Sequence, residues 1–160
     1  MGWICGNTQY IHCQKGEFPN FKFVRALKDA LDKDNGTIFR YSNHENTVLY
    51  QILKQLETSS LNDASELTTW IKTVTTLKTD EKIKIGWEGH RTMVDLWDLV
   101  KMYYYNPMTN GSNSIKKVLP AVLNESQFLN TKYSKPIYGN KDGIISLNFS
   151  NWTWLNRDHD

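Results

Sequence analysis

Residues 36–49 read GTIFRYSNHENTVL, and the fold turns on the change of period inside this stretch. Its first half, Thr37 to Tyr41, has the β-branched and aromatic content of a strand. Its second half opens an apolar series, Val48, Leu49, Ile52, Leu53 and Leu56, at the spacing of one helix face. His44 and Glu45 therefore stand at a strand-to-helix corner. A carboxylate there has an ordinary structural reading, because the dipole of the helix favours it by about 0.3–1 kcal/mol.

The same logic returns at residues 91–105, RTMVDLWDLVKMYYY, where a short apolar run turns at Asp95 into a helix carrying Leu96, Leu99, Val100 and Tyr103. Asp95 reads as the N-cap of that helix, with Asp98 solvated or part of the same cap. Between the two corners a helix is expected from Asp63, with Glu66 three residues on as in a capping box and Leu67, Trp70, Ile71 and Val74 facing inward. KTDEKIKIGWEGH, residues 78–90, is polar and turn-rich and reads as a loop.

Upstream, TQYIHCQ alternates as a short strand over residues 8–13. Asn20 then caps a helix of about three turns through Phe21, Val24, Leu27 and Leu31. Asn35-Gly36 is a turn signal. Downstream, Pro107 and Asn110-Gly111 break the second corner's helix, Ser114 caps the next, and Pro120 is expected to kink or stop it. The tail, residues 134–160, is aromatic and Gly-punctuated and reads as irregular.

Composition limits the function classes. The chain has 160 residues, 39% apolar and 12% aromatic, which is enough for one packed domain and argues against disorder. No repeat or linker interrupts it, so a single domain over 1–160 is expected. With 19 basic and 17 acidic residues, a net charge of +2 selects no polyanionic partner by itself. Cys5 and Cys13 lack zinc spacing and read as buried thiols of a reduced protein. The start has neither the basic region nor the long apolar run of a signal peptide or membrane anchor, so a cytoplasmic protein without membrane attachment is expected. The sequons at Asn35, Asn110, Asn124, Asn148 and Asn151 then reflect an Asn-rich composition.

GTIFRYSNHENTVL, MVDLWDLVKMYYYNP, GSNSIKKVLPAVL and YSKPIYG with SLNF together resemble the central part of a bacterial domain-of-unknown-function family, whose members resemble the DEDD, or DnaQ-like, 3′–5′ exonucleases. The resemblance runs from about Glu17 to the end, with GSNSIKKVLPAVL its most specific element. It implies a helix-rich α/β domain of RNase H-like fold and acids that hold two Mg²⁺ or Mn²⁺ ions at a scissile phosphate. Glu45 matches the second acid of that set and is the expected catalytic and metal-binding residue. His44 stands where these enzymes usually carry an aromatic residue; it is a candidate substrate contact, although a purely structural place at the corner is the stronger reading.

The resemblance also sets limits. No D-x-E on a hydrophobic strand occurs at the N-terminus, the late acid is expected downstream of residue 160, and one matched carboxylate cannot hold two metals. The expectation is an incomplete nuclease-like domain lacking its first strands, a segment of a longer protein, inactive alone. Ser114, Lys116 and Lys117, at a helix N-terminus, are its candidate phosphate contacts, although paired lysines on a helix are more often a solvated face, and DNA or RNA is its expected partner. MYYY and NWTW are candidate stacking platforms, although such aromatics more often fill cores. Asp158, His159 and Asp160 resemble a metal cluster only superficially and read as a frayed end. The alternative is a non-catalytic nucleic-acid-binding or protein-interaction module.

Overall fold

Two helices with facing apolar stripes, α2 (His44–Glu57) and α3 (Ala64–Val74), make the main packing contact of the protein. The computed structural model describes residues 14–16, 18–78, 86–140, 150–153 and 155. The chain is mixed α/β and helix-rich, and it divides into two compact units between Tyr104 and Tyr105.

In the first unit, α2 contributes Leu49, Ile52, Leu53 and Leu56 to the core and α3 contributes Leu67, Trp70, Ile71 and Val74, every inward position expected of α3. Each such side chain taken from water is worth about 1.5–3 kcal/mol. Helix α1 (Pro19–Leu31) adds Val24, fully buried.

The caps differ from expectation. Helix α1 starts two residues earlier, with Pro19 at its first position and Phe18 at the N-cap, and the Asn20 amide donates to Gln55 Oε1 at 2.8 Å. Asp63 occupies the N-cap position of α3 but caps nothing through its side chain. Its two oxygens accept from Arg25 Nε at 2.5 Å and Nη2 at 2.8 Å, tying α1 to α3. Glu66 likewise reaches Lys28, 3.4 Å away, rather than closing a capping box. A charged partner outbids a local backbone amide at both positions.

Among the described residues of this unit are four two-residue strands. β1 (Phe39–Arg40) pairs in parallel with β4 (Val94–Asp95), in the register Phe39 with Val94 and Arg40 with Asp95. β2 (Thr76–Leu77) pairs antiparallel with β3 (Trp87–Glu88). The expected strand over 37–41 is thus trimmed to its centre, and β3 lies inside the stretch expected to be a loop. Two-residue strands carry no period of their own, and long-range pairing makes them. The strand expected over residues 8–13 and the thiols Cys5 and Cys13 lie outside the described residues.

Gly89 is what lets the chain pass from β3 to β4. A Cβ there would collide with the backbone carbonyls of Lys72 and Thr73 at the end of α3. Against that close approach, Gly89 N donates to Thr75 O, Arg91 N to Thr73 O and Met93 N to Val74 O, at 2.9–3.2 Å. The segment so fixed delivers Val94 N to Ile38 O at 2.9 Å and sets β4 beside β1. Helix α4 (Leu96–Tyr103) follows at once.

The second unit, from Tyr105, opens with a 3-10 turn at Pro107–Thr109 capped by Asn106, whose Oδ1 accepts from Met108 N at 2.9 Å. Asn110, at φ 50°, and Gly111, at φ 73°, then supply the left-handed backbone expected of this turn. Helix α5 (Ile115–Glu125) runs through Pro120 instead of stopping there. Val118 before it and Ala121 after it are both buried, so packing on each side outweighs the one hydrogen bond that proline removes. Helix α6 (Gln127–Tyr133) begins at Ser126, whose hydroxyl accepts from Leu129 N. In the described part of the tail, Tyr138 and Trp152 form an antiparallel bridge.

Candidate ligand-binding cleft

Parallel strands that each run straight into a helix place two corners side by side, and in open α/β sheets ligands sit outside the carboxyl ends of such strands. Here those ends are Arg40 and Asp95. Both line a cleft of about 1060 Å³ in the first unit, whose lining also draws on β2, β3 and the N-terminal parts of α2 and α4.

Asp95 is the structural centre of the floor. Its Oδ1 accepts from Trp97 N at 3.0 Å, which caps α4 as expected, and from Ser42 N at 2.8 Å. Ser42 takes φ 77° to present that amide. One carboxylate oxygen thus holds both corners. The other, Oδ2, lies 3.4 Å from Arg40 Nε in an ion pair whose two side chains are each only 9% exposed. Tyr41 follows Arg40, and burial first, then the negative charge of Asp95, pushes its phenol above the usual range.

Arg40 is held but not satisfied. Its Nη1 donates to Asn43 Oδ1 at 2.8 Å, while Nε is buried with no hydrogen-bond partner. Around this floor Asn46 clamps the hairpin, accepting from Thr76 N and donating to Thr76 O, each at 2.9 Å. Trp87 donates its indole N–H to Thr75 and packs against Tyr50. On the α4 side, Lys101 Nζ lies 3.6 Å above the Trp97 ring and 2.7 Å from Asp98. The hydrogen bond from Lys101 holds the Asp98 carboxyl below its usual range. Among the described residues the lining carries Arg40, Lys78 and Lys101 together with Glu88, Asp95 and Asp98.

The residues expected to form a site are not among the described lining of this cleft. His44 and Glu45 are exposed on the first turn of α2, next to the lining residue Asn43 but outside the lining itself. Ser114, Lys116 and Lys117 are exposed at the start of α5, in the second unit. Ser114 occupies the N-cap position there but makes no side-chain cap. Of the aromatic platforms, Tyr103 and Tyr105 are exposed, and Asp158, His159 and Asp160 lie outside the described residues. Arg40 and Trp97 were missed by sequence reasoning. The available signal was a charged residue, Arg40, inside an otherwise apolar strand.

Among the described residues, no three His, Cys, Asp or Glu side chains gather in a way that could hold a metal ion. No described helix is long and apolar enough to cross a membrane. A family model described as Domain of unknown function (DUF2779) matches residues 4–114, which takes in the whole cleft and ends at Ser114, before α5. The match starts earlier than the resemblance read from the sequence and leaves out most of GSNSIKKVLPAVL. No curated protein and no solved structure matches the chain. The chain belongs to the DUF2779 family.

Proposed function

We propose that this chain is the nucleic-acid-engaging segment of an exonuclease-like protein with an RNase H-like fold, and that it does not cleave by itself. The observation that carries the reading is the parallel pairing of β1 and β4, whose carboxyl ends open together into a cleft with aromatic walls. A cytoplasmic setting suits two cysteines without zinc spacing.

The chain's acids do not fit the metal pair of such enzymes. Mg²⁺ takes octahedral oxygen ligation. Glu45 is an isolated carboxylate, and Asp95 already accepts two backbone amides and faces Arg40. Glu45 is accordingly assigned as one donor toward Mg²⁺ or Mn²⁺ in a site whose other acids lie elsewhere in a longer protein. If no such acids exist, the same cleft describes a non-catalytic nucleic-acid-binding module.

The test uses fluorescently labelled single-stranded DNA and RNA, with and without Mg²⁺ or Mn²⁺. The expected result is a change of anisotropy on mixing and no shortening of either strand. Strands that do not bind overturn the reading. Cleavage by this chain that disappears in Glu45→Gln would show that the missing acids are present after all.

A further inference from the structure

The chain carries two Asn-Gly pairs, Asn35-Gly36 and Asn110-Gly111, and all four residues are exposed. In such a pair the glycine nitrogen is free to attack the asparagine side-chain amide, because no Cβ on the glycine hinders its approach. By sequence the two pairs are alike, and the structure separates them. We infer that Asn35 is a site of spontaneous deamidation whose isoaspartate product loosens the hold of Arg91 on the loop between α1 and β1, while Asn110 is locked against the same reaction.

The reaction needs only water. The Gly36 nitrogen bonds to Cγ of Asn35 and gives up its proton, the Cγ–Nδ2 bond breaks, and the amide nitrogen leaves as ammonia with that proton. Water then opens the cyclic imide at either carbonyl. One opening gives aspartate, and the other gives isoaspartate, in which the main chain runs through the former side chain and is one carbon longer.

Ring closure requires the glycine nitrogen to swing to the side of Cβ, so the freedom of ψ at the asparagine decides the rate. Asn110 lacks that freedom. Its φ of 50° and ψ of 40° set the Gly111 nitrogen nearly opposite Cβ. The turn is held by bonds from Asn110 N to Pro107 O and from Ser112 N to Thr109 O, each 3.0 Å, so rotating ψ there means breaking it. Asn35 lies in irregular chain between α1 and β1, outside the left-handed region. Gly36 N donates to Asp34 Oδ1 at 2.8 Å, but this bond is exposed and spans two positions. Water replaces such a bond at little net cost, and a loop of this kind opens without unfolding the domain.

The product matters because of what Gly36 touches. Arg91 Nη2 donates to Gly36 O at 3.2 Å and to Leu31 O at 3.1 Å, so one guanidinium closes the loop that leads into β1. Isoaspartate at position 35 lengthens the chain between those two carbonyls by one carbon and moves Gly36 O from the place Arg91 holds.

The experiment incubates the native chain at mildly alkaline pH, folded and in denaturant, and follows both pairs over time by peptide mapping with mass spectrometry. In the folded chain Asn35 should lose its amide at least about tenfold faster than Asn110, a difference of about 1.4 kcal/mol in barrier. In denaturant, where no turn survives, the two rates should converge. Equal rates in the folded chain, or faster loss at Asn110, overturn the inference. A difference that persists in denaturant overturns it as well, because the flanking residues rather than the turn would then be its cause.

The effect on Arg91 is read from the aged fraction that contains isoaspartate at position 35. Its comparison is Asn35→Asp, which adds the same charge without the extra carbon. The aged fraction should unfold at a lower denaturant concentration than Asn35→Asp. Coincident unfolding curves would remove the loosening of Arg91 from the inference.

Discussion

The corner from β1 into α2 and the corner from β4 into α4 are written in the same pattern, an apolar strand, an acid and an amphipathic helix, yet their acids behave differently. Asp95 is nearly buried, caps its helix, holds Ser42 across the pair and faces Arg40. Glu45 stands two residues past its N-cap position, exposed, with no hydrogen bond or ion pair among the described residues. The difference comes from two positions relative to the N-cap. Asp95 is the last strand residue and points into the join, whereas Glu45 is already in the helical first turn and projects outward. An acid at a corner is structural when the strand still carries it and is left for other chemistry when the helix does.

The largest effect should come from Asp95→Ala. It removes the cap of α4, the tie to Ser42 and the counterion of a buried arginine at one stroke. A lost cap costs about 0.5–2 kcal/mol, and an uncompensated buried cation adds to it, so a loss of about 3 kcal/mol is expected in denaturant unfolding. Asp95→Asn should recover only part, because an amide can accept from Trp97 N and Ser42 N but leaves Arg40 uncompensated. Full recovery in Asp95→Asn would reduce the second corner to a simple cap.

Arg40→Met tests the same pair from the other side and should cost less, roughly 1–3 kcal/mol. The Asp95 carboxylate keeps its two backbone donors when the guanidinium leaves, whereas Arg40 keeps only Asn43 when Asp95 leaves. Equal losses in the two variants would mean that the ion pair, rather than the backbone contacts, governs this corner.

What could be read in advance follows from the range of the forces involved. The apolar faces of α2 and α3 were legible because Leu53, Leu56, Trp70 and Val74 repeat at helical spacing and a helix must bury such a stripe. Asp95 was legible as a cap because its partner, Trp97 N, is two residues away. Asn20 and Asp63 carried the same local signal and misled, since Gln55 and Arg25 reach them from 35 and 38 positions away. The cleft was illegible for the same reason: Arg40 and Asp95 meet only through the β1–β4 register. Gly89, whose missing side chain makes that register possible, looked like any loop glycine.

Asp63 offers a pH-dependent contrast to both corner acids. Its hydrogen bonds from Arg25 hold its carboxyl below the usual carboxylate range. A group whose folded value is depressed contributes stability above the unfolded value, and that contribution fades as pH falls through the folded one. The stability difference between the native chain and Arg25→Met should thus be full near neutral pH and fade in acid, as pH falls through the depressed folded value. A difference that persists in strong acid would assign the effect to packing of the Arg25 stem instead.

The smallest effect on stability belongs to Glu45→Gln. Its only calculable loss is the interaction of one exposed charge with the helix dipole, about 0.3–1 kcal/mol before salt reduces it, and glutamine keeps the helix propensity of glutamate. Melting curves of Glu45→Gln and the native chain should nearly superimpose, and raising the salt concentration should close what gap there is. The near silence of this substitution is what gives it discriminating power in a longer protein that includes the flanking sequence. There, a change of activity cannot be charged to unfolding, so loss of Mg²⁺-dependent strand shortening in Glu45→Gln assigns the carboxylate to the chemistry. Full activity would leave Glu45 an exposed first-turn acid, and the two corners would then differ in burial without differing in role. A marked stability loss in the isolated chain would break the comparison at its root, since it would mean that Glu45, like Asp95, is holding its corner together.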